Sequence, residues 1–257
     1  MNGLLRRIIS RIGGNQISSI CPVCNKGGIS FVPLPSFYRE NAERHGYDRF
    51  GQGEMISVDK YSCSSCGASD RERIFAYWID EMVRSGRFEK GKRLIHFAPE
   101  QALSRKIKSI GLFEYKTADL IMENVDYAVD MMSMQFDDSS FDFFICSHVL
   151  EHVESDDSAI EELYRITSKG GCGILVAPIS IGLETTLEDP SIVTEEGRWK
   201  NYGQNDHLRL CAHNDYVNKI KSHGFELQEL GIEHFGKRLF HRLGLKDTSI
   251  LYIAEKR

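Results

Sequence analysis

Four cysteines stand in two C-x-x-C pairs, Cys21-Pro22-Val23-Cys24 and Cys63-Ser64-Ser65-Cys66, the second followed by Gly67. Each pair puts two thiolates on a tight turn, and two such turns complete a tetrahedral sulfur site suited to zinc. Four protein ligands close the site, so the ion would be structural rather than catalytic. An iron–sulfur cluster or a redox dithiol is the other chemistry open to Cys21, Cys24, Cys63 and Cys66. The 38 residues between Cys24 and Cys63 exceed a minimal ribbon and require an inserted loop or hairpin. Cys146, Cys172 and Cys211 are isolated, and the first two lie in or beside strand-like runs, as small core residues do. An odd total of seven, with no secretory signal, argues against a disulfide framework.

A second set of candidates lies at the ends of apolar runs. Asp119 and Asp130 each close a short strand-like stretch, and Leu94-Ile95-His96-Phe97-Ala98-Pro99-Glu100 runs from a strand into a helix start. Open α/β sheets bind ligands beyond the carboxyl ends of their strands, where an acid can accept from ribose hydroxyls. Ser147 and His148 follow the most apolar run, and His152 follows them. Further on stands Tyr202-Gly203-Gln204-Asn205-Asp206-His207-Leu208-Arg209. His207 could serve as a base and Arg209 could hold an anionic or polar group. Alternatively, Asp206 and Arg209 form an ion pair that holds the loop.

These residues need elements to position them. Ser69 is placed to cap a helix from about Asp70 to Ser85, with Ile74, Phe75, Trp78, Ile79, Met82 and Val83 on one face. After Gly91 strands and helices alternate: strand 93–97, helix 100–110, strands 115–118, 127–129 and 141–146, helix 157–167, strand 173–177, helix 214–222, strands 226–230 and 250–254. That alternation implies a mostly parallel sheet covered on both faces. Two long insertions interrupt it, 178–213 and 233–247, the second carrying His234, Lys237, Arg238, His241, Arg242 and Lys246. Loops of such length usually serve function. The expected organisation is a basic amphipathic leader over 1–20, a zinc-knuckle module over 21–70, a connecting helix over 71–90 and an α/β domain over 91–257.

The run VDYAVDMMSMQFDDSSFDFFICSHVLEHV, Val125 to Val153, combines an acid after a strand, a turn on Phe136-Asp137-Asp138-Ser139-Ser140, a buried strand and a Leu150-Glu151-His152 segment. It resembles the middle of the class I S-adenosylmethionine-dependent methyltransferases, of the methyltransferase type 11-like kind. The resemblance implies a Rossmann-like α/β fold with a seven-stranded sheet, preceded by a small zinc-ribbon-like module. It implies S-adenosyl-L-methionine as cofactor, with His96, Ala98, Glu100, Asp119, Asp130, Met131 and Ser147 around it. Asp119 would take the ribose hydroxyls, Asp130 the adenine amino group, and Met131 the purine face. The turn at Ala98 departs from the family in having no glycine; a related group of methyltransferases carries the same HFAPE form. Glu100 at a helix start would repel a dinucleotide's pyrophosphate but could accept from the cofactor's ammonium. His148, His207 and Arg209 are the expected catalytic residues. The segment around His207 resembles a GQxDHxR run in methyltransferases linked with surface-polysaccharide or other small polar substrates.

Net charge of −5 offers no global field to gather nucleic acid. No apolar run approaches the ~20 residues that span a bilayer. Residues 1–14 could make a weak membrane-surface contact, and a cytoplasmic location is expected. O-methylation of a sugar or other small polar acceptor is the leading expectation. An RNA or protein methyltransferase that reads its substrate through the zinc module is the alternative, with the basic run 237–246 as its footprint. A non-catalytic zinc scaffold is the third.

Overall fold

The computed structural model describes residues 18–257; residues 1–14, for which a weak membrane-surface contact is expected, lie outside them. Seven strands form the central sheet: β1 (Lys92–Phe97), β2 (Phe113–Asp119), β3 (Tyr127–Ala128), β4 (Phe141–Ser147), β5 (Thr167–Val176), β6 (Glu226–Leu230) and β7 (Leu251–Glu255). Their spatial order is β6-β7-β5-β4-β1-β2-β3. β7 alone runs antiparallel to its neighbours. This is the Rossmann-like, mostly parallel sheet expected. The chain runs outward from β1 to β3, then returns to β4 on the other side of β1. The crevice between the carboxyl ends of β1 and β4 is therefore the switch point where such sheets bind ligands.

β4 is central because it is apolar on both faces, as a covered parallel strand must be. Phe143 packs on Trp78 of α2 (Asp70–Arg84), ring centroids 5.8 Å apart. Phe144, pointing to the opposite face, packs on Phe225, which meets Tyr164 of α4 (Asp156–Ile166). Helices thus cover both faces; they include α3 (Gln101–Ile110) and α6 (His213–Ser222). Gly173 stands opposite Phe144, and a Cβ there would lie 2.2 Å from its ring. A side chain at that position would displace a fully buried aromatic worth ~1.5–3 kcal/mol.

Ser69 and Glu72 form a capping box that starts α2. The second Glu72 oxygen accepts from the Leu103 amide at 3.2 Å, tying α2 to α3. Arg73 is fully buried; it donates to the carbonyls of Lys60, Tyr61, Ala68 and Leu243 and lies 4.2 Å over the Phe31 ring. One guanidinium therefore joins the cysteine-bearing segment to the insertion 233–247. The insertion between Cys24 and Cys63 contains α1 (Ser36–His45). The run 178–213 holds α5 (Glu195–Tyr202) and a two-residue ladder, Leu187–Glu188 with Arg209–Leu210. The run 233–247 forms the short helices α7 (Ile232–Phe235) and α8 (Lys237–Leu243). Among the described residues, no helix is long and apolar enough to cross a membrane.

Candidate active site

The four paired cysteines converge. Cys21 and Cys66 sulfurs lie 3.7 Å apart, Cys24 and Cys63 4.0 Å apart, and all four lie within 4.8 Å of one another. Zinc–thiolate bonds of ~2.3 Å in a tetrahedron place sulfurs about 3.8 Å apart. A disulfide would bring them to ~2.05 Å. The spacing fits one ion shared by two knuckles. Cys146, Cys172 and Cys211 are buried elsewhere.

Two cavities open at the carboxyl end of the sheet. The first, about 600 Å³, is walled by Ala98, Asp119, Asp130, Met131, His148 and Val149 among others. Ala98 holds φ +45°, a left-handed turn that glycine adopts most readily. The chain makes the turn without glycine, anchoring the Ala98 amide on the Ala118 carbonyl at 3.0 Å. Asp119 Oδ1 accepts from the Ile121 and Met122 amides at 2.8 and 2.7 Å, which sets the carboxylate at the rim. Its second oxygen makes no hydrogen bond among the described residues. Asp130 Oδ1 accepts from the Met132 amide at 2.8 Å, and Met131 is buried beside it.

His96, Glu100 and Ser147 do not line this cavity, contrary to expectation. Alternation along β1 turns the His96 ring into the core, where its nitrogens meet the Tyr115 hydroxyl and Glu100 Oε2, each at 2.9 Å. Glu100 is the N-cap residue of α3 but makes no side-chain cap; its carboxylate turns to His96 and to Arg71, 3.5 Å away. Ser147 Oγ is buried without a hydrogen-bond partner among the described residues.

The second cavity, about 370 Å³, adjoins the first at His148, His152 and Asp206, which line both. Tyr38, Tyr47, Phe50 and Tyr61 wall it from the cysteine-bearing segment, and Tyr202 and His207 from the long insertion. The two walls are clamped together. Arg49 donates to Ser180 Oγ at 2.8 Å and to the Ile181 carbonyl at 3.0 Å, and His45 of α1 stacks on Trp199 of α5. Tyr38, Tyr47, Phe50 and Tyr61 were not singled out from sequence, because they are scattered through a stretch with no apolar period. Arg198 of α5, also missed, lines the first cavity.

At the junction, Glu151 is fully buried. His148 Nδ1 lies 3.2 Å from its Oε1, His152 Nε2 3.8 Å and His207 Nε2 4.0 Å. Burial works against the Glu151 charge, but the close approach of His148, and then the His207 and His152 rings, hold its carboxyl below the ordinary range. Burial pushes His207 down to about 4, outweighing the pull of Glu151, so its ring is neutral at neutral pH. His148 adopts φ +56°, a strained conformation of the kind that collects at functional sites.

His207 and Arg209 are not placed as the sequence suggests. His207 Nδ1 lies 3.3 Å from the Tyr202 carbonyl, an acceptor only, so Nδ1 carries the proton. The Nε2 that a base would use is turned on Glu151. Arg209 lines neither cavity. Its guanidinium, 1% exposed, donates to the Leu150, Val153 and Glu154 carbonyls and pairs with Glu188 and Asp156 at 2.7 and 3.8 Å. The loop pair imagined between Asp206 and Arg209 is replaced by these contacts, while Asp206 Oδ2 faces His152 Nδ1 at 3.4 Å. The basic run 237–246 is partly spent inside the fold as well: Arg242 donates to the Ser18 carbonyl and Lys246 to those of Gly51 and Gly53.

Residues 105–175, from α3 to β5, match the family model described as "Methyltransferase domain". The chain carries a methyltransferase domain. It is an S-adenosylmethionine-dependent enzyme of that kind. No curated protein matches it in sequence. The [4+2]-cyclase SpnF, 15% identical, is similar in fold over 88% of this chain and 99% of its own, at a TM-score of 0.50. YcgJ from Bacillus subtilis, 14% identical, covers 70% of this chain and 99% of its own at 0.46. The CurJ carbon methyltransferase, also 14% identical, covers 72% of this chain and 53% of its own at 0.46.

The cavity chemistry of the methyltransferase domain suits its cofactor. Its β2 and β3 ends present the Asp119 and Asp130 carboxylates beside the buried Met131.

Proposed function

We propose that this methyltransferase O-methylates a sugar or another small polar acceptor held in the 370 Å³ cavity, and that its four paired cysteines hold one structural zinc ion. The observation that carries the reading is the meeting of the two cavities at His148, His152 and Asp206. A pocket of this size, walled by tyrosine and phenylalanine faces with Arg49, Arg71 and Gln204 between them, offers stacking and directed hydrogen bonds to a compact hydroxylated ring.

S-adenosylmethionine, when bound, supplies a methyl group already activated on a sulfonium. Asp119 would hold its ribose hydroxyls through the carboxylate oxygen left over from the turn, Asp130 its adenine amino group and Met131 its purine face. Holding the acceptor oxygen in line is then the main task of the protein. The tyrosine-rich wall does that, and the junction histidines surround the hydroxyl. Division into a cysteine module over 21–70, a connector over 71–90 and a catalytic domain over 91–257 goes with this reading, although Tyr38, Tyr47 and Tyr61 make the module part of the acceptor wall.

The test is label transfer. The purified enzyme is incubated with S-adenosylmethionine labelled on the methyl group and, separately, with monosaccharides, nucleotide-activated sugars, bulk RNA and protein. Label on a sugar hydroxyl is the expected result. Label confined to RNA or protein overturns the reading.

A further inference from the structure

The junction of the two cavities holds an unsolved balance of charge and lone pairs. Both oxygens of buried Glu151 and the Nε2 of buried His207 make no hydrogen bond among the described residues, His148 Nδ1 being the nearest nitrogen to Oε1 at 3.2 Å. His207 Nδ1 is committed as donor to the Tyr202 carbonyl. His152 Nδ1 faces the Asp206 carboxylate at 3.4 Å, which also only accepts. Each ring thus turns its outer nitrogen on an oxygen and its Nε2 inward, toward the Glu151 carboxylate. At 3.8 and 4.0 Å from Oε1 both inner nitrogens stand beyond hydrogen-bond reach of the carboxylate, a gap that an ion held between them would fill. A histidine whose far nitrogen is held by a carboxylate or carbonyl is the usual preparation of a metal ligand.

We propose that Glu151, His152 and His207 bind a divalent transition-metal ion between the cofactor and acceptor cavities, a second metal site apart from the cysteines. One ligand atom from each of the three lies within 4.8 Å of the others. Tetrahedral bonds of ~2.1 Å put ligand atoms about 3.4 Å apart, so ligation draws the rings inward by a few tenths of an ångström. Two imidazoles and one carboxylate leave coordination positions open. All three residues line the acceptor cavity, so an open position faces the acceptor.

The role of the ion rests on the O-methylation reading; its binding does not. An acceptor hydroxyl coordinated there loses its proton to solvent water. The alkoxide lone pair then forms the O–CH3 bond while the S–CH3 bond breaks, its electron pair returning to sulfur as a neutral thioether. One negative carboxylate and one divalent ion leave a single positive charge to stabilise the alkoxide. His207 then acts as a ligand and not as the base.

Manganese(II) is the probe, because as a hard ion it avoids the thiolate site. Electron paramagnetic resonance on the full chain, with zinc kept on the cysteines, should show one saturable Mn2+ per chain with no acceptor present. His152→Ala and Glu151→Gln should each weaken it by at least about tenfold, and Asp206→Asn by about 10- to 100-fold, the usual effect of a group that orients a ligand. His152 is 34% exposed at its side chain, so His152→Ala carries the test should Glu151→Gln fail to fold. No saturable Mn2+ or Co2+ beyond the cysteine-bound ion overturns the proposal, and so does binding unchanged in His152→Ala. Since binding is read without acceptor, a failure to methylate sugars leaves this result standing.

Discussion

Arg71 Nε lies 3.5 Å from Glu100 Oε1. Arg71 stands in the first turn of α2, the helix that leaves the cysteine-bearing segment, and Glu100 ends the turn after β1. Arg71 also lines the acceptor cavity. One half-buried pair therefore links the small N-terminal segment, the acceptor wall and the strand end that borders the cofactor cavity. Its electrostatics set a pH dependence.

Burial alone would raise the Glu100 carboxyl, but the His96 hydrogen bond and the charges of His96 and Arg71 hold it at about 2, against an ordinary 4.5. The folded chain binds this proton more weakly than the unfolded one. The ionised group therefore stabilises the fold above pH 4.5, and that contribution fades as the pH falls toward 2. At ~1.36 kcal/mol per unit it is on the order of 3 kcal/mol. Urea unfolding should show Glu100→Gln less stable than wild type by about that amount near pH ~6, with the gap closing below about pH 3. A gap that does not change with pH would contradict the assignment.

The cysteine cluster should carry about one zinc per chain, since four thiolates complete one tetrahedral shell. Cys21→Ser or Cys63→Ser should release it. Tyr38, Tyr47, Phe50 and Tyr61, which wall the acceptor cavity, belong to the segment that this ion closes. Loss of zinc should therefore loosen acceptor contacts while leaving cofactor affinity nearly intact. Metal analysis of freshly purified, unchelated protein reads the first point, and calorimetry with S-adenosylmethionine the second. Protein without zinc as purified would refute the site.

The catalytic sheet was legible because its strands are short apolar runs between turn residues, and because acids at strand ends announce themselves. The two-sided burial of β4 is written in Phe141–Cys146. Less was legible where periodicity fades. α1, within Ser36–His45, is polar almost throughout, so the gap between the cysteine pairs read as a loop. β5 begins at Thr167, not Gly173, because Lys169-Gly170-Gly171 reads as a stop while the strand passes through a bulge between the partners of Phe141 and Phe143. Side-chain direction was harder still. His96 and Arg209 are near the right strand ends, yet one faces the core and the other faces backbone carbonyls. Which way a residue points depends on a register that neighbouring letters do not encode. Glu151 was visible within the Leu150-Glu151-His152 segment, but its encirclement by histidines depends on the return of His207 from a distant insertion.

Asp119 gives the sharpest test of the cofactor cavity. Its Oδ1 is spent on two amides of the turn, so the carboxylate is held in place before any ligand arrives. Asp119→Ala should weaken S-adenosylmethionine binding by roughly 1.5–3 kcal/mol, the scale of a hydrogen bond to a charged group. Asp119→Asn should lose less, keeping an acceptor oxygen. Nicotinamide dinucleotides should give no binding heat, because the turn at Ala98 has no glycine to bring backbone amides against a pyrophosphate. Calorimetry on wild type and both variants decides it; equal affinities across the three would remove Asp119 from the site.

Arg209 should prove structural. Its guanidinium satisfies three carbonyls in the Leu150–Glu154 segment and faces Glu188 and Asp156. Removing it strands buried acceptors and uncompensated charge together. Arg209→Met should cost about 3–5 kcal/mol in unfolding free energy, the range for breaking one side of a buried pair. Arg209→Lys keeps the charge but not the fork that reaches several oxygens at once, so it should recover only part of that loss. A residue that merely gripped substrate would behave oppositely: unfolding unchanged, with the effect confined to acceptor affinity. Because Arg209 holds the backbone on which Glu151 and His152 are carried, the stability loss should come with weaker Mn2+ binding at the junction, and denaturation and metal titration on the same variant measure both.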